Sequence, residues 1–218
     1  MRACAVIPAY RAAGRIGDVL DRLASFLPAE DTIVVDDGSG DGTAEEARKR
    51  GVRVLTHPRN QGKGAAHRTA FGEALFLGYD AVLTLDADGQ HDPGEVPGFL
   101  KAWVEGRGDI LLGSRWRTLA GMPLVRRLTN RTTSVVVSLL AGQRVEDSQS
   151  GYRLISAEVL RKVPLRTTRY QTESELLIRA GRAGFRIVPI PISARYAGEK
   201  SYIDPLRDTL RFVPPGDG

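Results

Sequence analysis

Two rhythms of apolar residues alternate through the first half of the chain. Residues 5–7 form a short unbroken apolar run, after which Ile16, Val19, Leu20, Leu23 and Leu27 recur at the three- and four-residue spacing of one helix face. Residues 32–35 are again apolar and β-branched, so the opening predicts strand, helix, strand. Thr43 followed by Glu46 has the spacing of a capping box and predicts a second helix. Residues 52–55 then predict a third strand, 65–77 a third helix, and 81–85 a buried fourth strand that ends at Asp86. Strands apolar on both faces and joined by helices predict an α/β fold, with a mostly parallel central sheet and helices on both faces. Sheets of this kind take ligands beyond the carboxyl ends of their strands. The residues just after each strand are therefore the ones that carry chemistry.

The second half is less regular. A strand is predicted at 110–112, a mixed basic and apolar stretch follows over 115–140, and a further strand falls near 152–155. Thr172 and Glu175 repeat the capping-box spacing and open another helix. Residues 185–192 read as a strand, and Pro189 and Pro191, each lacking a ladder donor, put it at a sheet edge. No repeat or linker divides the chain, and 218 residues with 42% hydrophobic content suit one domain spanning 1–218.

Cys4, the only cysteine, excludes an intrachain disulfide and favours a reducing, cytoplasmic setting, with the thiol packed in a strand. The first ten residues lack a signal-peptide pattern, and the longest uncharged apolar patch, 134–142, falls far short of the ~20 residues of a membrane span. A net charge of +5 calls for anionic partners. Five of the 31 cations are lysines, leaving 26 arginines, a residue suited to phosphate through its planar fork. Nucleic acid is disfavoured as the partner, because aromatics total 6% and form no stacking array.

The densest chemistry is Asp86-Ala87-Asp88-Gly89-Gln90-His91-Asp92, directly after the fourth strand. Carboxylates so close together at a strand end suit an oxygen-liganded Mg²⁺ or Mn²⁺ bridging a diphosphate, and equally describe a solvated acidic turn. A metal there would neutralise charge growing on a departing nucleoside diphosphate. The loop over 34–43, VVDDGSGDGT, has glycines that allow close backbone approach and carboxylates able to accept from a base N–H or a ribose hydroxyl. It lacks the GxGxxG spacing and also serves as a turn with a helix cap. Residues 60–65, NQGKGA, lack the Walker spacing, so Lys63 either meets a phosphate or is solvated.

Taken in order, VIPAY (6–10), VVDDGSGDGT (34–43), NQGKGAA (60–66), LDADGQHDP (85–93), GSRW (113–116), DSQSGYRL (147–154), TESELLIRAGRAGFRIVPIPI (172–192) and RYAGEKS (195–201) resemble glycosyltransferase family 2. The resemblance is strongest to its polyprenyl-phosphate mannosyl- and glucosyltransferase branch, and covers about nine-tenths of the chain. It implies a GT-A fold whose nucleotide-sugar half is 1–114 and whose acceptor half is 115–218. It further implies that Pro8, Tyr10 and Asp37 hold base and ribose, that Lys63 meets donor phosphate, and that Asp86 and Ala87 line the donor. Asp88 and Gln90 would ligate Mg²⁺ or Mn²⁺. Arg115 and Arg131 would meet the acceptor phosphate, and Arg195 and Lys200 would lie on a loop that closes over the site.

The implied reaction is an inverting single displacement from a nucleotide-diphosphate sugar, with polyprenyl phosphate as acceptor. A lipid phosphate, with a second pKa of about 6 by analogy with phosphoamino acids, arrives ionised and needs no strong base. Asp147 is the candidate base for a hydroxyl acceptor, or else orients the nucleophile or a nearby arginine. Residues 122–140 mix Arg126, Arg127 and Arg131 with apolar side chains and fit either a peripheral contact with anionic membrane or an ordinary helix packed on the sheet. Two departures from the family pattern stand out. Arg11-Ala12 replaces the usual Asn-Glu, and the chain stops at Gly218 where many members continue into membrane helices. The alternatives are a nucleotidyltransferase, disfavoured because no basic glycine loop follows the first strand, and a nucleotide-sugar-binding module without turnover.

Overall fold

A computed structural model describes residues 1–115, 124–169 and 171–193, and the side chains of 124–126 are not among those described. The strands are β1 (Ala3–Ala9), β2 (Thr32–Asp36), β3 (Arg53–Thr56), β4 (Ala81–Thr84), β5 (Ile110–Ser114), β6 (Arg153–Ser156) and β7 (Ile187–Pro191). They form one seven-stranded sheet in the order β3-β2-β1-β4-β6-β5-β7. Every pairing is parallel except those of β6, which runs antiparallel between β4 and β5 with Thr84 opposite Arg153 and Ile110 opposite Ile155. The carboxyl ends of β1, β2, β4 and β5 and the amino end of β6 therefore share one edge. β7 pairs only with β5, so the two prolines do sit on an edge strand.

Alternate residues of each inner strand point to opposite sides, and each side has its own core. Cys4, Val6, Ile33, Val35, Val82, Ile110 and Leu112 pack under α3 (Lys63–Phe76), α5 (Leu124–Ala141) and α7 (Gln171–Arg182). Ala5, Ile7, Val34, Leu83, Leu111 and Leu154 pack under α1 (Ala13–Leu23) and α4 (Val96–Val104). Helices thus cover both faces, as the doubly apolar strands require. Fully burying one such Leu or Ile side chain is worth about 1.5–3 kcal/mol, so both layers contribute heavily. Burial in β1 pushes the Cys4 thiol up to about 12 and leaves it inert.

Both expected capping boxes are absent. α2 (Thr43–Arg48) is preceded by Gly42 in the left-handed region (φ 91°), and Thr43 N–H donates to Asp41 Oδ1 at 3.0 Å. Thr43 Oγ1 accepts from Ala12 N–H at 2.9 Å, while Glu46 pairs with Arg50 and Lys49. A tertiary donor claims the hydroxyl, and an ionised neighbour replaces it at the helix end. In α7, Glu175 is buried and accepts from the Arg166 and Thr167 N–H groups, at 3.0 and 2.9 Å, so it fastens the preceding loop instead of capping the helix. Two helices that the apolar pattern does not announce, α4 and α6 (Ala157–Lys162), are short. α4 begins with Pro97 and Gly98 in its first turn, which interrupts the apolar period.

The basic and apolar stretch becomes α5, packed through Val137 and Ala141 against α7. A Cβ on Gly181 would stand 2.5 Å from the Ala141 carbonyl oxygen, so the two helices approach backbone to backbone. The other face of α5 exposes Arg127, Leu128, Arg131, Val135 and Leu139. Among the described residues no helix is long and apolar enough to cross a membrane.

Candidate functional site

The loops leaving β1 and β2 are tied together first. Asp37 N–H donates to the Ala9 carbonyl at 2.8 Å, and Arg11 N–H donates to Ser39 Oγ at 2.9 Å. Ser39 Oγ in turn donates to Asp36. Arg11, with φ 51°, is the one non-glycine residue in the left-handed region among the described residues. That conformation costs an ordinary L-residue roughly 1–2 kcal/mol, and Asn tolerates it better. Here stands the first family departure. Tyr10 beside it is half exposed, its ring under the Arg11 guanidinium at 5.4 Å, and Pro8 is partly buried in β1.

Asp37 is 2% exposed, and its carboxylate is committed to the loop after β3. Oδ1 accepts from Gln61 N–H at 2.9 Å and meets His57 Nδ1 at 2.7 Å, and Oδ2 accepts from Gly62 N–H at 2.8 Å. It ties the loop after β2 to the loop after β3. His57, absent from the residues picked out by sequence, lies directly after β3, and that position is the signal that could have found it.

Lys63 opens α3 but does not face outward. Its ammonium lies 2.6 Å from Asp86 Oδ1 and 2.7 Å from Glu173 Oε1. The glycines around it serve packing: a Cβ at Gly62 would stand 2.6 Å from the Thr168 carbonyl oxygen, and one at Gly64 would overlap Thr172 Oγ1. Ala65 N–H donates to the Thr168 carbonyl at 3.0 Å, so the segment before α7 caps the start of α3 where a phosphate was expected. Arg153, buried in β6, completes the cluster. It lies 3.6 Å from Glu173 Oε2 and donates to the carbonyls of Glu173, Ser150 and Ser148.

Two cations and two anions thus share one cluster, with Arg153 buried and the other three partly buried. Burial alone would neutralise Asp86, but the Lys63 charge overrides it and holds the carboxyl well below the usual range. Glu173 is lowered in the same way, against its own desolvation, by Lys63 and Arg153. Lys63 is pushed up by the two carboxylates despite burial. All four groups are charged. His67, one turn along α3, is buried with no partner for Nε2, and burial with the Lys63 charge lowers it to about 4.

The turn after β4 is held from beneath. Asp86 N–H donates to His91 Nδ1 at 3.1 Å, the His91 ring stacks on Tyr152 at 5.0 Å, and Tyr152 O–H donates to the Asp92 carbonyl. Gly151 lies against Asp86, where a Cβ would come 2.9 Å from Oδ2. Ala87 is buried, while Asp88 and Gln90 are partly exposed. Asp88 Oδ1 accepts from Gln90 N–H at 2.9 Å, and its carboxyl is raised, by partial burial and then by the Asp86 charge. It adds one negative charge to an otherwise balanced cluster, and that charge invites a cation. Among the described residues no group of three His, Cys, Asp or Glu side chains makes a metal cage. Asp88, partly exposed at the strand end, is an oxygen ligand that could meet a hard cation such as Mg²⁺.

Further along the same sheet edge, Arg115 follows β5 and forms a two-pronged pair with Asp147, Nε to Oδ2 at 2.7 Å and Nη2 to Oδ1 at 2.8 Å. Asp147 is buried, and two α5 serines fix its loop: Ser134 Oγ accepts from Ser148 N–H, and Ser138 Oγ accepts from Val145 N–H. Asp147 therefore orients an arginine. Arg131 is exposed on α5. Arg195 and Lys200 lie outside the described residues.

Comparison with known proteins matches this arrangement to one family. The family model described as "Glycosyl transferase family 2" matches residues 4–166. An undecaprenyl-phosphate mannosyltransferase of Micrococcus luteus is 32% identical over 88% of this chain and 83% of its own. A UDP-N-acetylglucosamine–dolichyl-phosphate N-acetylglucosaminyltransferase of Methanococcus voltae is 33% identical over 88% and 84%. Among solved structures, glucosyl-3-phosphoglycerate synthase from Mycobacterium tuberculosis, in complex with Mn²⁺ and UDP-glucose, superposes with a TM-score of 0.75 at 23% identity, covering 92% of this chain and 72% of that one.

Proposed function

Because the chain belongs to glycosyl transferase family 2 and has its GT-A fold, we propose that it moves a hexose, mannose or glucose, from a nucleotide-diphosphate sugar to polyprenyl phosphate with inversion. The relatives named for undecaprenyl and dolichyl phosphate support the acceptor. The observation that carries it is the Arg115–Asp147 pair. A hydroxyl acceptor requires a carboxylate ready to take a proton, whereas Asp147 is buried with both oxygens bound to a guanidinium. An ionised phosphate requires the reverse, a cation held in place.

In this reading a phosphate oxygen attacks the anomeric carbon as the bond to the donor diphosphate breaks, leaving polyprenyl-phosphate hexose and nucleoside diphosphate. Pro8, Tyr10 and the loop organised by Asp37 receive base and ribose, and Asp86 and Ala87 line the sugar diphosphate. Asp88 and Gln90 would hold Mg²⁺ or Mn²⁺, which when bound supplies charge neutralisation for the leaving diphosphate. Arg115 and Arg131 receive the acceptor phosphate, and Arg195 and Lys200 are further cations for the donor diphosphate or the acceptor phosphate. The enzyme works at the surface of an anionic membrane, because Leu128, Val135 and Leu139, exposed at 68%, 52% and 78%, form one stripe of α5 beside Arg127 and Arg131.

The test is radiolabelled sugar transfer. With GDP-mannose or UDP-glucose, undecaprenyl phosphate and Mn²⁺, label should enter the organic phase, and with EDTA in place of Mn²⁺ it should stay in the aqueous phase. Label transferred to undecaprenol, or to glycerol derivatives but not to the lipid phosphate, would overturn the acceptor assignment.

A further inference from the structure

Glu173 is assigned no part in the donor site proposed above, yet its carboxylate shares the Lys63 ammonium with Asp86, at 2.7 and 2.6 Å. We infer that Glu173 is a positioning residue: by holding Lys63 away from the donor, it makes binding of an anionic diphosphate conditional on a divalent ion. The inference rests on the reading that Asp86 and Asp88 face the donor.

The geometry leaves Lys63 little choice. Its side chain is only 20% exposed, and its ammonium is held within 2.7 Å of a carboxylate oxygen on either side. Glu173 cannot drift away, because Arg153 binds its main-chain carbonyl at 2.9 Å and faces its other oxygen. The preceding segment is pinned by the Thr168 carbonyl on Ala65 N–H, with Gly62 and Gly64 admitting it to contact. Lys63, Arg153, Asp86 and Glu173 therefore sum to zero charge, and Asp88 brings the site to minus one. A diphosphate entering without a cation meets net repulsion.

Neutralising Glu173 releases Lys63 from one of its two partners and raises the site by one charge. A unit charge within several ångströms of a diphosphate, at the screening found near protein surfaces, changes affinity by at least about tenfold. Neutralising Lys63 shifts the charge in the opposite direction. The two variants thus move the metal requirement oppositely, which a merely structural role would not do.

Calorimetric titration of UDP and GDP into wild type, Glu173→Gln and Lys63→Gln, each in EDTA and in Mn²⁺, reads this directly. The ratio of the two dissociation constants, EDTA over Mn²⁺, should fall by at least about tenfold in Glu173→Gln through tighter binding in EDTA, and rise in Lys63→Gln. Glu173→Asp, which keeps the charge, should keep the wild-type ratio. Each neutral variant is a test by itself, so misfolding of one, seen as a lost thermal transition, leaves the other to decide. An unchanged ratio in a folded neutral variant overturns the inference while leaving the donor site standing. Wild type that binds neither nucleotide in Mn²⁺ overturns both.

Discussion

Replacing Gly64 with alanine should destabilise the protein, although the position lies in the first turn of a helix where alanine is intrinsically favoured. Intrinsic preference alone predicts a gain of about 1 kcal/mol. Against it, the new Cβ would overlap Thr172 Oγ1 and stand 2.7 Å from both the Arg169 carbonyl oxygen and the Thr168 carbonyl carbon. Two of these three are backbone atoms and cannot rotate aside. Forcing such a site open costs about 1–3 kcal/mol, and displacing Thr172 also strains its 2.8 Å hydrogen bond with Thr167, worth about 1 kcal/mol more. The net loss is about 1–3 kcal/mol, which in a chain of this size lowers the melting temperature by roughly 2–10 °C. Gly72 is the internal control. It sits in the same helix, and a methyl group there would meet nothing within 4 Å, so Gly72→Ala should raise stability by up to about 1 kcal/mol. Differential scanning calorimetry of both variants, and of Gly64→Ala with Thr172→Ala, separates the contributions. The double variant should recover only part of the loss, because the backbone contacts remain. If Gly64→Ala melts at or above wild type, the close approach of the 168–172 segment to α3 is wrong.

Arg11→Asn should stabilise the chain by about 1 kcal/mol, read as a shift in urea midpoint, because asparagine accepts φ 51° at lower cost; destabilisation would refute the strain assigned there. His67 titrates near 4 when folded against 6.5 unfolded. Between those values the unfolded chain binds the extra proton, so stability should fall by up to about 3 kcal/mol as pH drops through that window, and His67→Gln should flatten the slope measured by urea unfolding at stepped pH. Leu139→Glu should reduce flotation with anionic liposomes while leaving nucleotide affinity in Mn²⁺ unchanged; equal flotation would remove the α5 stripe from the membrane contact.

Much of the fold could be read from the order of apolar runs, because inner strands buried on both faces allow few polar positions and so announce themselves. The edge placement of β7 followed from Pro189 and Pro191 for an equally local reason. What the sequence hid was long-range. Nothing near position 153 signals a strand inserted antiparallel between two others, since its direction is decided by the 38 positions between β5 and β6. The site divided in the same way. Asp86, Asp88 and Gln90 stand at a strand end and were visible there. The role of Lys63 was not, because its partner Glu173 lies 110 positions later and the Thr172 and Glu175 spacing drew the eye to a cap that does not form. Gly62 and Gly64 suggested a phosphate cradle, whereas a loop from elsewhere in the chain needed that space.

The reversed direction of β6 has a consequence for how such an enzyme can be altered. The groups proposed to meet the donor come from loops that leave parallel strands, but Asp147 comes from a loop that enters a strand, and Arg115 leaves the neighbouring one. The whole excursion from Arg115 to Tyr152 therefore begins and ends at the same sheet edge, between two strands already paired through Leu112 and Arg153. An exchange of 115–152 between relatives would have to preserve the packing of Val137 and Ala141 against α7, and Gly151 and Tyr152, which seat the turn at Asp86. With the acceptor phosphate proposed for Arg115, substitutions within this excursion would alter acceptor preference while the loops after β1 and β2 stayed unchanged.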